Sequence, residues 1–170
     1  HWTANEYTVT YVYHGADGAA DEQTKSVVYD SVYGAISAPT RTGYTFAGWH
    51  FDETGDSAEV TADTVVRIAE DHELHAHWTA NHYSITFDPN NGDYLGGENE
   101  TVQVSFTYDD TYAAMPTPVR KGYLFQGWFD TFKEPGGTEY KPTDTVKITN
   151  DALTLYARWS VNTYQATLDT

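Results

Sequence analysis

The chain has 170 residues, no cysteine, and 25 acidic against 9 basic side chains, a net charge of −16. Without cysteine it can build neither a disulfide framework nor a thiolate zinc site. A field of that sign repels phosphate backbones and anionic lipid heads, which argues against nucleic acid and membrane surfaces as partners.

The length allows one domain or two small ones. No stretch approaches the roughly 18 apolar residues of a membrane span. No basic-then-apolar signal segment opens the chain. The expectation is a piece that is either cytosolic or cut from the middle of a longer protein. Tyr, Val and Thr are abundant and favour strands over helices.

In chain order, the first predicted element is the alternating stretch YTVTYVY at 7–13, a strand. Turn chemistry in HGADGAADEQ at 14–23 leads to a second strand, KSVVY at 25–29, as a hairpin with a long loop. Pro39 and Gly43 then interrupt regular structure. A third strand follows at 44–51. Simple alternation puts Tyr44, Phe46 and Gly48 on one face, and Thr45 and Trp49 on the other. The segment 57–68 has room for a short helical turn but no long amphipathic stripe. The last strand carries Leu74, Ala76 and Trp78 on one face, with His75 and His77 opposite.

The same elements then recur. GYTFAGW at 43–49 returns as GYLFQGW at 122–128, and HWTAN at 1–5 returns at 77–81 and, weakened, as RWSVN at 158–162. Ser26, Tyr29 and Tyr33 match Ser105, Tyr108 and Tyr112; Pro39 and Arg41 match Pro118 and Arg120. DTV at 63–65 matches DTV at 144–146. The reading is a tail of one repeat at 1–5, a full repeat at 6–81, a second at 82–162 and the start of another at 163–170. All five tryptophans fall on two repeated positions, Trp2/Trp78/Trp159 and Trp49/Trp128. A site built on a unique tryptophan is thereby excluded. The expected core is Tyr44, Phe46, Trp49 and Trp78 in the first repeat, and Tyr123, Phe125, Trp128 and Trp159 in the second. Large aromatics must supply most of the burial in units this small.

The order strand, strand, P-x-R-x-G-Y-x-F-x-G-W, then L-x-A-x-W covers nearly the whole chain. It resembles the internalin B-repeat family, also called the Listeria–Bacteroides repeat. The matching residues are Pro39, Gly43, Tyr44, Phe46, Gly48, Trp49, Leu74, Ala76 and Trp78, and again Pro118, Gly122, Tyr123, Phe125, Gly127, Trp128, Leu155, Ala157 and Trp159. The resemblance implies an α+β, mostly β chain of two tandem small β-grasp-like domains. It further implies an extracellular module of large Gram-positive surface proteins, attached to the cell wall through other regions. Such modules are not enzymes. They serve as stalks or adhesin parts and are similar in fold to mucin-binding repeats.

Candidate chemistry is sparse. His72, His75 and His77 suggest a metal cluster, and His75 and His77 share a strand face at a spacing that can chelate zinc. The second repeat has Leu153, Tyr156 and Arg158 there, so exposed-face histidines are the default reading and no metal is assigned. DPNNGD at 88–93 offers Asp88, Asn90 and Asp93 as a calcium candidate, though it lacks the full calcium-loop pattern, and a Pro-Asn-Asn-Gly turn explains the same residues. The other carboxylates, among them Asp52, Asp56 and Glu59, read as solvated loop charge. Tyr94, Tyr140 and Tyr13 stand outside the repeat pattern and are the candidates for stacking on a ligand. No cofactor is implied.

Two functions are in view. The leading one is a non-catalytic spacer whose partners are the neighbouring repeats of its own chain. Only TANH at 79–82 separates Trp78 from Tyr83, which suggests a monomeric, semi-rigid rod gaining very roughly 30 Å per repeat. The alternative is an adhesion module recognising a host glycan, mucin or protein.

Overall fold

The computed structural model describes residues 3–18, 22–94 and 97–163, so Trp2 and the start of the following repeat from Tyr164 on lie outside the described residues. The chain divides into two units, His1–Asn81 and His82–Thr170.

In the first unit, strands β1 (Glu6–Val12), β2 (Glu22–Val28), β3 (Tyr44–His50) and β4 (His72–Ala80) form one sheet in the order β2-β1-β4-β3. β1 and β2 are an antiparallel hairpin, with Val9 opposite Lys25. β1 runs parallel to β4, with Tyr11 opposite Leu74, and β3 closes the sheet antiparallel to β4.

The second unit contains β5 (His82–Asp88), β6 (Asp93–Tyr94), β7 (Gly97–Glu98), β8 (Val102–Thr107), β9 (Tyr123–Phe129), β10 (Glu139–Tyr140) and β11 (Thr154–Val161). Its main sheet has the order β10-β9-β11-β5-β8, again with one parallel pair, β5 and β11. β6 and β7 pair separately in the loop after β5. Asn81 alone lies between β4 and β5, so most of the four-residue link read from the sequence belongs to strands.

The α+β, β-grasp-like expectation is corrected. The described residues contain no helix, and both main sheets are mixed, so the fold is all-β. The connection between β2 and β3 holds Gly34, Pro39 and Gly43 among its residues, which break a helix before it can nucleate. The segment after β3 is tied down by isolated bridges, Trp49 to Val60 and Val32 to Val65, and holds no helical turn.

A β-bulge overturns the face assignment in β3. Phe46 pairs with Trp78 and Gly48 with His77, so Ala47 is an extra residue. The side-chain alternation is reset there, and Trp49 joins Phe46 on the core side instead of opposing it. Their rings meet edge to face at 5.6 Å. β9 repeats the device: Gly127 faces Arg158, Phe125 faces Trp159, and the Phe125 and Trp128 rings meet at 5.4 Å. Gly48 and Gly127 sit at φ of 119° and 136°, which side-chain-bearing residues rarely adopt. A Cβ on Gly48 would stand 2.9 Å from Glu59 Cγ, and one on Gly127 would stand 3.0 Å from Glu139 Oε1. The repeated G-W is therefore a bulge that turns a tryptophan inward.

Each unit has its own core. Val9, Val27, Tyr33, Trp49, Val66, Leu74 and Ala76 are buried in the first; Ile85, Phe106, Tyr112, Trp128, Val146, Leu155 and Ala157 answer them in the second. Phe46, Trp78, Phe125 and Trp159 are partly buried against these cores. Tyr44 and Tyr123 are half-buried, each beneath a guanidinium: Arg41 lies 4.0 Å from the Tyr44 ring centre and Arg120 lies 3.8 Å from that of Tyr123. These stacks account for the repeated arginine.

The structure also re-registers the two repeats. Val66 N donates to Ser31 O and Val146 N to Asp110 O, both at 2.8 Å, so Val66 matches Val146 and not Lys147. The DTV match is thus out by one residue. One extra residue of the second repeat lies between Trp128 and Glu139, because Trp49 bridges Val60 as Trp128 pairs with Tyr140, and the other lies after Asp151.

Candidate functional site

The three histidines do not converge. His75 is only 7% exposed, and its Nδ1 lies 3.1 Å from His14 Nε2. His72 Nε2 bonds the Tyr33 hydroxyl at 2.7 Å, and His77 Nε2 donates to Asp52 O at 2.9 Å. Among the described residues no three His, Cys, Asp or Glu side chains are placed to hold a metal ion. The exposed-face reading is corrected as well. The 52–57 loop folds over this face, so close that a Cβ on Gly55 would meet His77 Nδ1 at 2.5 Å.

Asp52 shapes that loop. Its carboxylate accepts from Thr54 N, Thr54 Oγ1, Asp56 N and Ser57 N. Bonding from Ser57 and Thr54, and then from the loop amides, holds it well below the usual carboxylate range. In the second repeat Arg158 takes the place of His77. Its guanidinium donates to Thr131 O and Lys133 O and lies 3.7 Å from the Phe129 ring centre. Histidine and arginine do one job here, clasping a loop to the last strand.

The other acids are ordered too. Asp71 Oδ1 accepts from Thr8 N, and Asp151 Oδ1 from Ser84 N, both at 2.7 Å. Asp30 pairs with Arg67, and Asp109 with Lys147. Glu59 and Glu139 both lie over the bulge glycine. The reading of loop carboxylates as solvated charge missed the Asp71/Asp151 and Glu59/Glu139 recurrences because they are displaced by one residue in the linear match.

In 88–93, Asp88 Oδ1 accepts from Asn90 N at 2.8 Å, and Gly92 N donates to Pro89 O at 3.0 Å. Asn90 and Asn91 both have positive φ, as in a tight hairpin turn. Asn90 Nδ2 reaches Ala157 O at 3.1 Å. His14 and Gly15 hold the equivalent left-handed positions in the first repeat. Asp93 lies in β6, with its side chain outside the described residues.

The three candidate tyrosines have different surroundings. Tyr13 is 7% exposed, donates to Gln23 Oε1 at 2.9 Å and meets the Trp49 ring edge to face at 5.5 Å. Tyr94 pairs with Gly97 through the backbone, and its side chain lies outside the described residues. Tyr140 is half-buried, packs edge to face on Tyr112 at 5.8 Å, and lines a cleft of about 320 Å³ with Glu139 and Lys147.

A second cleft, of about 260 Å³, was not foreseen. It lies in the first repeat between Tyr11, Tyr13 and Trp49 on one side and 35–37 on the other, with Gln23, Thr24 and Lys25 at its edge. Lys25 Nζ donates to Tyr33 O at 2.7 Å and to Ala35 O at 3.1 Å, tethering the far wall to β2. The buried Tyr11 hydroxyl and Trp49 Nε1 have no hydrogen-bond partner among the described residues. Burial, and then Tyr13, pushes the Tyr11 hydroxyl pKa up, which keeps it protonated. In the second repeat Phe87 replaces Tyr11, Val104 replaces Lys25, and Trp128 Nε1 donates to Pro116 O at 2.9 Å.

The comparisons with known proteins agree with the division into two repeats. The family model described as the Listeria-Bacteroides repeat domain matches residues 7–77 and 83–158. A protein of Evansella cellulosilytica whose given name calls it a membrane protein is 34% identical over 163 residues, covering 95% of this chain and 23% of that protein. Another from the same organism, whose name calls it a Gly-rich membrane protein, is 33% identical over 175 residues, 96% of this chain and 19% of its own length. Internalin H of Listeria monocytogenes is 36% identical over 126 residues, 74% of this chain and 21% of its own. The chain thus spans under a quarter of the length of each of these relatives. With both repeats matched, their bulges and tryptophans in place, the chain belongs to the Listeria-Bacteroides repeat domain family.

Proposed function

We propose that this chain is a non-catalytic spacer: two tandem repeats that hold other domains of a bacterial surface protein away from the cell. The observation that carries the reading is that the residues the two repeats share have structural work in both. Trp78 Nε1 donates to Tyr13 O and Trp159 Nε1 to Pro89 O, each at 2.9 Å. Asn81 N donates to Gly43 O and Asn162 N to Gly122 O, again at 2.9 Å. Asp71 and Asp151 anchor the first strand of their units in the same way. A binding function common to the repeats would require a shared group facing solvent with no such duty.

The relatives support the location in the coarse sense that their names are those of membrane proteins and of an internalin. The acidic surface suits a crowded array, because like charge keeps neighbouring copies apart.

The test is surface display. One, two and four repeats are placed between a cell-wall anchor and a reporter epitope, and antibody access is measured. Access rises with copy number if the repeats are spacers, and an unrelated β-repeat of equal length serves as well. If only this sequence works, or if copy number has no effect, the spacer reading fails. An adhesion function for glycan, mucin or host protein would instead appear as retention of the bare two-repeat chain on that ligand.

A further inference from the structure

The cleft beside Trp49 differs from everything the repeats share. Tyr11, Lys25 and Ser37 stand where the second repeat has Phe87, Val104 and Pro116, and all three differences border one space. Together they undo a closed arrangement. Ser37 holds the place of Pro116, yet the Trp49 N–H has no acceptor among the described residues, and Tyr11 adds a buried hydroxyl that also has no partner there. Leaving two such buried groups unpaired is destabilising, so the apolar version of the second repeat would be the default for stability alone. About 260 Å³ is room for a fragment-sized molecule and far more than one water of about 30 Å³.

The chemistry of the walls narrows the occupant. Among the described residues no acidic one lines the cleft, although the chain carries 25 of them. Lys25 is the one charged side chain lining it among the described residues, with two ammonium protons bound to Tyr33 O and Ala35 O. The unpaired groups include an N–H that can only donate and a hydroxyl that can donate. A carboxylate supplies two acceptor oxygens and the charge that Lys25 complements. The Tyr11 and Tyr13 rings, each edge to face with Trp49 at 5.1 and 5.5 Å, give an aromatic wall for a small body behind that group.

We infer that the first repeat binds a small carboxylate-bearing molecule in this cleft, with Trp49 Nε1 and the Tyr11 hydroxyl donating to the carboxylate beside Lys25. Both donors are screened from bulk water, so entry moves the 35–37 wall, whose tether is Lys25. This inference is independent of the spacer reading.

The test follows the indole N–H resonances of the intact chain during titration with glucuronate, N-acetylglycine and the neutral methyl glucoside. The Trp49 signal is identified from the Trp49→Phe spectrum. It is expected to move saturably with an acid and not with the neutral sugar, while Trp128, bonded to Pro116 O, stays still. A response to glucuronate alone assigns an acidic sugar, to N-acetylglycine alone a peptide C-terminus, and to both the carboxylate itself. Tyr11→Phe and Lys25→Val restore the residues of the second repeat, which folds with them, and each is expected to weaken binding roughly tenfold or more. The inference is overturned if Trp49 is unmoved by the acids, if it responds only through a long-lived bound water, if methyl glucoside matches the acids, or if both variants bind like the parent.

Discussion

Replacing Gly48 by alanine tests the bulge that the whole core depends on. At φ 119° a Cβ is strained wherever there is space, and such backbone conformations cost about 1–3 kcal/mol in a residue other than glycine. The new Cβ also meets Glu59 Cγ at 2.9 Å, but Glu59 is exposed and can swing away, so the collision adds little. If the strand straightened to relieve the strain, alternation would send Trp49 outward and empty the core, a larger loss. The expected cost is therefore about 1–3 kcal/mol, confined to the first repeat. Urea unfolding followed through the Trp49 and Trp128 indole resonances reads the two repeats separately. With a slope of about 1–2 kcal/mol per molar urea for units this size, the Trp49 midpoint should fall by about 0.5–3 M and the Trp128 midpoint should not move. Glu59→Ala in the same background should recover only a small part. A Gly48→Ala midpoint within about 0.3 M of the parent would refute the strain argument.

Three further outcomes follow from the same geometry. Trp159→Phe removes the Nε1 bond to Pro89 O and part of the packing under Gly92, and should destabilise the second repeat alone by about 1–2 kcal/mol in the same urea experiment. Asp52 has a lowered pKa in the folded chain, so its contribution is present above the ordinary carboxylate pKa and is lost as pH falls from about 4; the protection of the Thr54 and Ser57 amides relative to their intrinsic exchange rates should fall there, and Asp52→Asn should show that loss of protection already at pH 7. The Tyr33 hydroxyl is pushed up to about 12 by burial and then by Tyr11, so its contribution is whole below pH 10 and is lost as pH rises from there to 12. Thermal unfolding in that window should fall with pH, and Tyr33→Phe should flatten the dependence.

The sequence exposed the repeats well because both copies lie in one chain and each serves as a control on the other. Strand positions were legible from alternation and β-branched content: YTVTYVY and KSVVY overlie β1 and β2 to within three residues at each end. The position of Trp49 was not, because a bulge is one residue of backbone geometry and breaks the period on which the reading depends. The glycine before each tryptophan was the available signal. The helix implied by the resemblance is absent from the described residues for reasons the sequence did carry, namely Gly34, Pro39 and Gly43 in the connection.

Ordered acids were hidden by the off-by-one match at DTV, since hydrogen bonds and not letters align Val66 with Val146. His77 and Arg158 share no charge or shape, so their common role as loop clasps shows only in three dimensions. Of the candidate site residues, Tyr13 proved to border the cleft in the first repeat, though as a buried wall and not as an exposed platform. Tyr11 and Lys25 could have been noticed as the polar residues standing opposite Phe87 and Val104.

The measurement that bears most directly on the spacer reading is small-angle X-ray scattering on chains of one, two and four repeats, with and without calcium. A spacer requires length, so the account expects the maximum dimension to grow in proportion to repeat number and to be the same with calcium as without it. A dimension that stays nearly constant as repeats are added, or that contracts when calcium is supplied, would contradict it.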